Sequence, residues 1–182
     1  MVTKPKDGDI LAMVGSTDFF NLSKDGNVNV TISERSPGSS IKPLTYALAF
    51  DKGIISPSSI IVDAPTEFRI PGGPSYRPTN YDNRFHGQVT ARVALASSYN
   101  IPAVKVLDKV GVVNFLQFAQ NAGIQTFTNP ARYGLAITLG GGEVKMTEMA
   151  TAYSMFVNHG KIIPLKSILE ITCQERSIKN TG

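Results

Sequence analysis

Hydrophobic and polar positions alternate in short blocks at the start of the chain. Residues 10–14 are all apolar, and the turn sequence Pro5-Lys6-Asp7-Gly8 separates them from the stretch Val2-Thr3-Lys4. Glycine can supply the positive φ that a tight hairpin turn needs, so this pattern predicts two antiparallel strands. Residues 15–38 follow, rich in Asp, Asn, Ser and Gly around a β-like stretch at 28–32.

A helical pattern begins after residue 38 and ends at Gly53. Pro43 marks its first turn, where a proline is tolerated because the backbone N–H groups have no partner inside the helix. Ser39 is therefore expected at the N-terminus of this helix. Its predicted core positions are Leu44, Ala47, Leu48 and Phe50.

The middle of the chain alternates between irregular and helical patterns. Residues 54–88 hold several prolines with many Gly, Ser and Asn, which predicts a long loop. Thr90 is expected to cap a short helix over 91–97. The sequence Ser98-Tyr99-Asn100-Ile101-Pro102 breaks it before two further helices, over 103–110 and 112–121.

The last third of the chain carries one strongly periodic segment. Gly140-Gly141-Gly142 precedes it, and the period predicts a helix over 144–158. The face expected to be buried comprises Met146, Met149, Ala150, Tyr153 and either Phe156 or Val157. Residues 162–171 are predicted to form a closing strand.

Composition excludes several classes of protein. The 182 residues are 42% hydrophobic and 18% charged with a net charge of +4, a profile typical of a soluble globular domain. The charge is too small and too scattered to indicate nucleic-acid binding. A single cysteine, Cys173, excludes an internal disulfide and a multi-cysteine metal site. Neither a membrane span nor a secretory signal is visible, so any export segment is expected outside this sequence.

The segment Ser39-Ser40-Ile41-Lys42 is an S-x-x-K motif at the predicted helix start. A serine and a lysine three residues apart share one face there, about one turn from each other. A serine hydroxyl is a weak nucleophile until a base takes its proton, and a lysine can be that base where burial lowers its pKa. The pattern favours acyl transfer by Ser39 and Lys42, although a helix cap and a solvated lysine are the alternative.

A second short motif, Ser98-Tyr99-Asn100, is an S-x-N in the predicted break between helices. Each motif alone is weak, because chance predicts about one S-x-x-K in a chain of this composition. The combination is more specific than either motif, because the S-x-x-K lies at a predicted helix start and the S-x-N follows it in a predicted break between helices. S-x-x-K together with a serine-and-asparagine element and K-T-G is the signature of penicillin-binding proteins and serine β-lactamases.

On these motifs and the segments around them, the chain resembles the transpeptidase domain of class A (bifunctional) penicillin-binding proteins. The likeness covers about residues 2–171 in the expected order. It implies an α/β fold of the α+β type, a penicillin-binding protein/serine β-lactamase-like fold with an antiparallel sheet packed by helices and a helical subdomain. The segments that carry the likeness are GDILAMVG at 8–15, PGSSIKP at 37–43, YRPTNYD at 76–82, SYNIPAV at 98–104 and LGGGEV at 139–144.

The resemblance implies a D,D-transpeptidase. Ser39 would attack the carbonyl between the two terminal D-alanines of a peptidoglycan stem peptide, with Lys42 as proton acceptor. Ser98 would relay a proton to the departing D-alanine, and Asn100 would hold the substrate amide and help to position Lys42. An amine of a neighbouring stem peptide would open the acyl-enzyme, whereas a β-lactam would trap it. Further substrate contacts are expected from Tyr99, Tyr81 and Asn80.

The resemblance also implies partners and a location. The partners would be peptidoglycan stem peptides and β-lactam antibiotics, with no metal, cofactor or nucleic acid. The parent protein would be membrane-anchored in the bacterial cell envelope, with this soluble part on the extracytoplasmic face of the cytoplasmic membrane. There it would serve cell-wall synthesis and cell shape.

The third motif of the family, K-[ST]-G, is absent. The sequence Lys179-Asn180-Thr181-Gly182 has one residue too many, and Ile168 follows Lys166-Ser167. Residues 1–182 are therefore expected to be a partial transpeptidase domain that lacks its C-terminal strands. The missing C-terminal segment of the same domain is expected to be a partner of these residues. The expected parts of residues 1–182 are N-terminal strands (1–34), a helical region with both motifs (35–160), and a strand with a tail (161–182).

Two other hypotheses remain open at this point. The chain could be a non-catalytic fragment that acts only in folding, packing or interaction. It could also be a relative of the serine β-lactamases or D,D-carboxypeptidases, which share the chemistry but fit residues 76–104 less well. His86 is expected to be a loop residue rather than a catalytic base.

Overall fold

The computed structural model describes residues 1–70, 72–173 and 176–179, and the chain forms two compact units. One unit comprises Met1–Arg35, Asn121–Thr126 and Val144–Gly182, and the other comprises Ser36–Gln120 and Phe127–Glu143. Helices and antiparallel strand pairs occur together, as the predicted α+β type requires. Among the described residues, no helix is long and apolar enough to cross a bilayer.

Both short motifs lie in the unit that starts at Ser36. Its core surrounds the first and third helices, where Leu44, Tyr46, Val104 and Leu107 are buried. The strands of this unit form one antiparallel pair. Its α-helices and strands are α1 (Lys42–Asp51), β3 (Ile60–Asp63), β4 (Gly87–Thr90), α2 (Ala91–Ala96), α3 (Asn100–Val110) and most of α4 (Val112–Asn121). The strands β1 (Val2–Lys4) and β2 (Asp9–Ala12) precede them in the sequence and belong to the other unit.

The first helix follows the prediction closely. A 3-10 helix, Gly38–Ile41, leads directly into α1, and Pro43 occupies the first turn of α1. Leu44 and Leu48 are buried as predicted, whereas Ala47 and Phe50 are only half-buried. Because α2, α3 and the 3-10 helix Leu135–Leu139 all contact α1, more than one of its faces is covered, and Thr45, Tyr46 and Ala49 are buried as well.

The prediction of an unbroken loop over 54–88 was wrong. Residues Ile60–Asp63 form β3, which pairs antiparallel with β4, Ile60 opposite Thr90 and Asp63 opposite Gly87. Ile61 and Asp63 point inward while Ile60 and Val62 are exposed. The partner strand lies far along the chain, so the local composition, dominated by turn residues, hides this pairing.

The helices that flank the second motif are close to their predicted positions. Thr90 caps α2, since its Oγ1 accepts a hydrogen bond from Val93 N at 3.2 Å. The third helix begins at Asn100, three residues before the predicted start, because Pro102 lies in the first turn, where its missing N–H costs nothing. Helix α4 has the predicted bounds.

The other unit contains the predicted N-terminal hairpin. Strands β1 (Val2–Lys4) and β2 (Asp9–Ala12) pair antiparallel. A second antiparallel pair, β5 (Glu170–Cys173) with β6 (Arg176–Lys179), ends the described chain. Helix α5 (Met146–Val157) lies between the two pairs in sequence.

The predicted buried face of α5 was wrong. Met146, Tyr153, Phe156 and Val157 are exposed, and Met149 and Ala150 are half-buried. The buried residues are Ala152, Ser154 and Met155. Apolar residues occur on all sides of this helix, so their period alone does not determine which side is buried.

The predicted strand over 162–171 was also largely wrong. Only Lys166 forms a bridge there, parallel to Asp9, and β5 starts at Glu170. Pro164 has no N–H to donate, which prevents a continuous hydrogen-bonded ladder through this stretch. The carbonyl of Gly8 instead accepts from Lys166 N at 2.7 Å.

Candidate active site

Ser39 and Lys42 lie where the 3-10 helix meets α1. The Lys42 backbone N–H donates to the Ser39 carbonyl, which closes the turn between them. Residues three apart in a 3-10 helix have nearly eclipsed side chains, so the two side chains share one face. Ser39 is exposed, whereas Lys42 has only 1% of its surface exposed. The arrangement places an exposed serine one turn before a buried lysine.

The glycine loop packs against the segment that carries Ser39. Gly140 has φ +94°, and a Cβ on it would lie 2.5 Å from both N and Cα of Gly38. Ser36 Oγ donates to the Gly140 carbonyl at 2.8 Å and accepts from Gly38 N at 3.2 Å. The backbones can approach this closely only without a side chain at residue 140.

The Lys42 amine joins the two motifs. Its Nζ donates to the Ser98 carbonyl at 2.6 Å, to Asn100 Oδ1 at 2.7 Å and to Ser98 Oγ at 3.1 Å. The structure thus brings together three of the four residues that the sequence singled out as catalytic. An ammonium group has three donors, and these three acceptors match them.

Burial lowers the pKa of Lys42 to about 8. The carbonyl, hydroxyl and amide oxygens around Nζ are uncharged, so they offset the loss of water less than a carboxylate would. A lysine with a pKa near physiological pH can accept a proton from a hydroxyl group and later return it.

Ser98 has a backbone conformation that serine rarely adopts. Its φ is +55°, in the left-handed region that favours glycine. Ser98 N donates to the Leu95 carbonyl and Tyr99 N donates to the Ala94 carbonyl, both at 3.0 Å. This is the Schellman pattern that ends a helix, with Ser98 at the position usually taken by glycine. The end of α2 therefore presents Ser98, an exposed residue, with its hydroxyl next to Lys42.

The Asn100 side chain is held at both ends. Its Oδ1 accepts from Lys42, and its Nδ2 donates to the Thr79 carbonyl at 2.8 Å. The two contacts fix the orientation of the amide, because the reverse orientation would place NH₂ against the Lys42 amine. Asn100 is half-buried at the first position of α3.

The three predicted substrate contacts have different environments. Tyr81 is 100% exposed. Tyr99 is half-buried, and its ring stacks on His86 with centroids 3.9 Å apart and planes 13° from parallel. Asn80 has only 4% of its surface exposed, and its side-chain amide is hydrogen-bonded to protein groups at both ends. This placement favours a structural role for Asn80 over direct contact with substrate.

Sequence reasoning missed Asp63 and did not assign a partner to His86. Asp63 is fully buried at the end of β3, and its Oδ2 lies 2.6 Å from His86 Nδ1. His86 Nε2 lies 3.1 Å from Asp82 Oδ2. No sequence signal pairs residues 63 and 86, because the link depends on the strand pairing of β3 with β4. Among the residues that the structure describes, no group of three or more His, Cys, Asp or Glu could hold a metal ion.

A groove of about 390 Å³ lies beside the Thr79 that binds Asn100. Arg77 and Glu67 form an exposed ion pair at 2.8 Å within its lining. Its lining residues are Pro65, Thr66, Glu67, Arg77, Pro78, Thr79 and Phe85.

Comparison with known sequences gives one consistent result. Residues 1–181 match the family model described as penicillin binding protein transpeptidase domain. The chain is 38% identical over 100% of its length to penicillin-binding protein 1C of Escherichia coli (strain K12), of which the match covers 23%. It is 36% identical over 88% of its length to penicillin-binding protein 1A of Rickettsia felis, of which 20% is covered. The chain thus spans about a fifth to a quarter of the length of these relatives.

Solved structures give the same result for the fold. Penicillin-binding protein 1A from Haemophilus influenzae superposes with a TM-score of 0.72 at 32% identity, over 87% of this chain and 22% of that one. PonA1 from Mycobacterium tuberculosis superposes with a TM-score of 0.66 at 20% identity, over 85% of this chain and 40% of that one. The predicted fold class is confirmed by these neighbours.

Proposed function

We propose that the protein is a peptidoglycan D,D-transpeptidase, because its chain belongs to the penicillin-binding protein transpeptidase family. The resemblance to class A members noted from the motifs is confirmed by the relatives of types 1A and 1C. One observation carries the assignment of roles. Lys42 lies one turn from Ser39 in the chain, and its amine, with its pKa lowered to about 8, contacts both Ser98 and Asn100.

The first step is acylation of Ser39. Neutral Lys42 Nζ accepts the Ser39 hydroxyl proton while Oγ attacks the carbonyl between two terminal D-alanines of a stem peptide. The C–N bond then breaks, and the departing D-alanine amine takes up a proton from Lys42 through the Ser98 hydroxyl, which lies 3.1 Å from Nζ. The product is an ester on Ser39 and a free D-alanine.

The second step forms the cross-link. An amine of a second stem peptide attacks the ester carbonyl and loses a proton, which returns to Ser39 Oγ as the ester bond breaks. The same Lys42 and Ser98 groups carry this proton in the reverse direction, as microscopic reversibility requires. A β-lactam enters at the first step, and its opened ring stays on Ser39.

The family to which the chain belongs supports proposals for the partners and the location. The substrates are peptidoglycan stem peptides, and β-lactams are inhibitors that acylate the same serine. The site works on the extracytoplasmic face of the bacterial cytoplasmic membrane, to which the parent protein is anchored. The third motif, K-[ST]-G, does not occur in residues 1–182. A site with all three motifs therefore needs a segment from outside these residues that carries K-[ST]-G.

Labelling with a fluorescent penicillin tests the function. The chain is incubated with the probe alone and together with the K-[ST]-G segment of the domain, and the covalent product is detected on a denaturing gel. Ser39→Ala should remove the label, whereas Ser40→Ala should keep it. Ser40 is the matched control because it is an adjacent exposed serine whose Oγ donates to the Pro37 carbonyl at 2.6 Å. Absence of label on the wild-type chain with the segment present would contradict the proposal.

A further inference from the structure

A buried carboxylate supports the Ser98-Tyr99-Asn100 motif from outside it. Asp63 has 0% of its surface exposed. It accepts from Asn80 Nδ2 at 3.0 and 2.8 Å, from His86 N at 3.0 Å and from His86 Nδ1 at 2.6 Å. A buried carboxylate is tolerated when donors satisfy its oxygens in this way. Asp63 therefore orients two side chains, those of Asn80 and His86.

The Asn80 side chain caps α3 although it is distant in sequence from that helix. Its Oδ1 accepts from Asn100 N at 2.8 Å and from Ile101 N at 3.4 Å. The residue at the ordinary cap position, Tyr99, makes no side-chain cap hydrogen bond. The first N–H groups of a helix need an acceptor from elsewhere, and Asn80 supplies it.

Only one orientation of the Asn80 amide satisfies all its neighbours. Its Nδ2 donates to the carboxylate of Asp63 and to the Arg84 carbonyl, the latter at 2.8 Å, while its oxygen faces two backbone donors. A flipped amide would direct its oxygen at the carboxylate and its NH₂ at the two N–H groups. Asp63 thus determines which atom Asn80 presents to Asn100.

His86 is the second contact between Asp63 and the motif. Asp63 holds the imidazole ring, and the ring stacks on Tyr99 at 3.9 Å. Tyr99 lies between Ser98 and Asn100, the two residues that contact Lys42. The motif is therefore supported at its backbone by Asn80 and at its central side chain by His86.

We propose that Asn80 and Asp63 are a positioning pair that fixes the Ser98-Tyr99-Asn100 turn, and with it the acceptors of the Lys42 amine. The pair acts through the motif and does not touch substrate. Its importance for the reaction rests on the proposed function, whereas its importance for the local structure does not.

Hydrogen exchange tests the structural part without any substrate. In the chain of residues 1–182, Asn80→Ala should speed exchange of the Asn100 and Ile101 amides by about fivefold or more, the size of a lost helix cap. Asn129→Ala is the matched control, because Asn129 caps the 3-10 helix Pro130–Arg132 through Ala131 N at 3.1 Å. It should leave the two amides unchanged. Unaltered exchange of both amides in Asn80→Ala would overturn the proposal.

A second test exchanges the two side chains, and it remains informative if Asn80→Ala destabilises the protein. Asn80→Asp alone places two carboxylates against each other and should increase amide exchange at residues 100 and 101. Adding Asp63→Asn restores a donor to the pair and should recover part of the protection. If the double variant is no better protected than Asn80→Asp, the two residues do not act as a pair.

Acylation by the fluorescent penicillin, with the K-[ST]-G segment present, tests the consequence for the reaction. Asn80→Ala should lower the acylation rate constant at saturating probe by about tenfold or more, since small displacements of catalytic groups are costly. The half-saturating probe concentration should stay the same, and the Asp63→Asn/Asn80→Asp variant should recover rate. Wild-type acylation kinetics in Asn80→Ala would refute the positioning role. If the wild-type protein is not acylated but the exchange results hold, the proposed function fails while the structural pair stands.

Discussion

Lys42 Nζ lies 2.7 Å from Asn100 Oδ1, although 58 positions separate the two residues in the chain. This hydrogen bond joins the S-x-x-K and S-x-N motifs, and the Ser98 carbonyl and hydroxyl complete the set of acceptors. All three acceptors are uncharged. The amine is therefore held firmly in place without a carboxylate that would keep it protonated.

The lowered pKa of Lys42 predicts how acylation depends on pH. With a pKa of about 8, the neutral amine is a minor species at pH 6 and the major species above pH 8. The rate constant for penicillin acylation should therefore rise with pH and level off above about 8. Lys42→Arg should lower the rate by about 100-fold or more and remove the rise, because a guanidinium stays protonated. A flat profile in the wild-type protein would exclude Lys42 as the base.

The same pKa predicts a change in stability at alkaline pH. The unfolded chain, in which the lysine has its ordinary value of 10.5, binds more protons than the folded chain between about pH 8 and that value. The free energy of unfolding attributable to this residue should therefore increase as the pH rises through this range. Urea denaturation of the wild type at pH 8 and 10 measures the change. Lys42→Met, which cannot titrate, should lack this contribution, and identical pH dependences would contradict the prediction.

The left-handed conformation of Ser98 predicts that replacement by glycine leaves the protein more stable than replacement by alanine. Ser98→Gly and Ser98→Ala both remove the hydroxyl, and both should slow acylation. Alanine keeps the unfavourable φ of +55°, whereas glycine adopts it at no steric cost. Ser98→Gly should therefore be more stable than Ser98→Ala by about 1 kcal/mol in thermal denaturation. Equal stability of the two variants would mean that residue 98 leaves this conformation when the serine is replaced.

Local signals were sufficient to predict much of the site. The helix start at Pro43 places Ser39 and Lys42 on one face, and the predicted break places Ser98 and Tyr99 between α2 and α3, with Asn100 as the first residue of α3. Both features depend on neighbouring residues, which sequence patterns describe well. The contact between the motifs could be inferred only from the family resemblance, because no periodicity relates positions 42 and 100.

The features that could not be predicted depend on distant partners. Asp63 is part of the site only because β3 pairs with β4, and Asn80 caps a helix that begins at residue 100. The prediction of the buried face of α5 was wrong for a related reason. Its apolar residues surround the helix, so its neighbours, not its own sequence, determine that Ala152 and Met155 are buried and Tyr153 is exposed.

The close approach of Gly140 to Gly38 predicts that the glycine loop is intolerant of alanine. Gly140→Ala would place a methyl group 2.5 Å from Gly38 backbone atoms at a φ of +94°. We expect a loss of about 1–3 kcal/mol in stability and slower acylation of Ser39, whose turn must shift. Gly134→Ala is the control, because a Cβ there has open space and φ is −123°. The prediction fails if the two variants are equally stable.

The buried pair of Thr45 and Thr138 predicts a non-additive result. Their hydroxyl groups lie 2.8 Å apart, and both residues are fully buried. Thr45→Val leaves the Thr138 hydroxyl without this partner, which should cost about 1–3 kcal/mol, and Thr138→Val should cost a similar amount. The double variant replaces both hydroxyls by methyl groups of similar shape, so its loss should be smaller than the sum of the single losses. Urea denaturation of all four proteins measures the coupling. Additive losses would mean that each hydroxyl finds another partner when its neighbour is removed. The hydrogen bond between α1 and the 3-10 helix Leu135–Leu139 would then not stabilise the packing beneath the candidate active site.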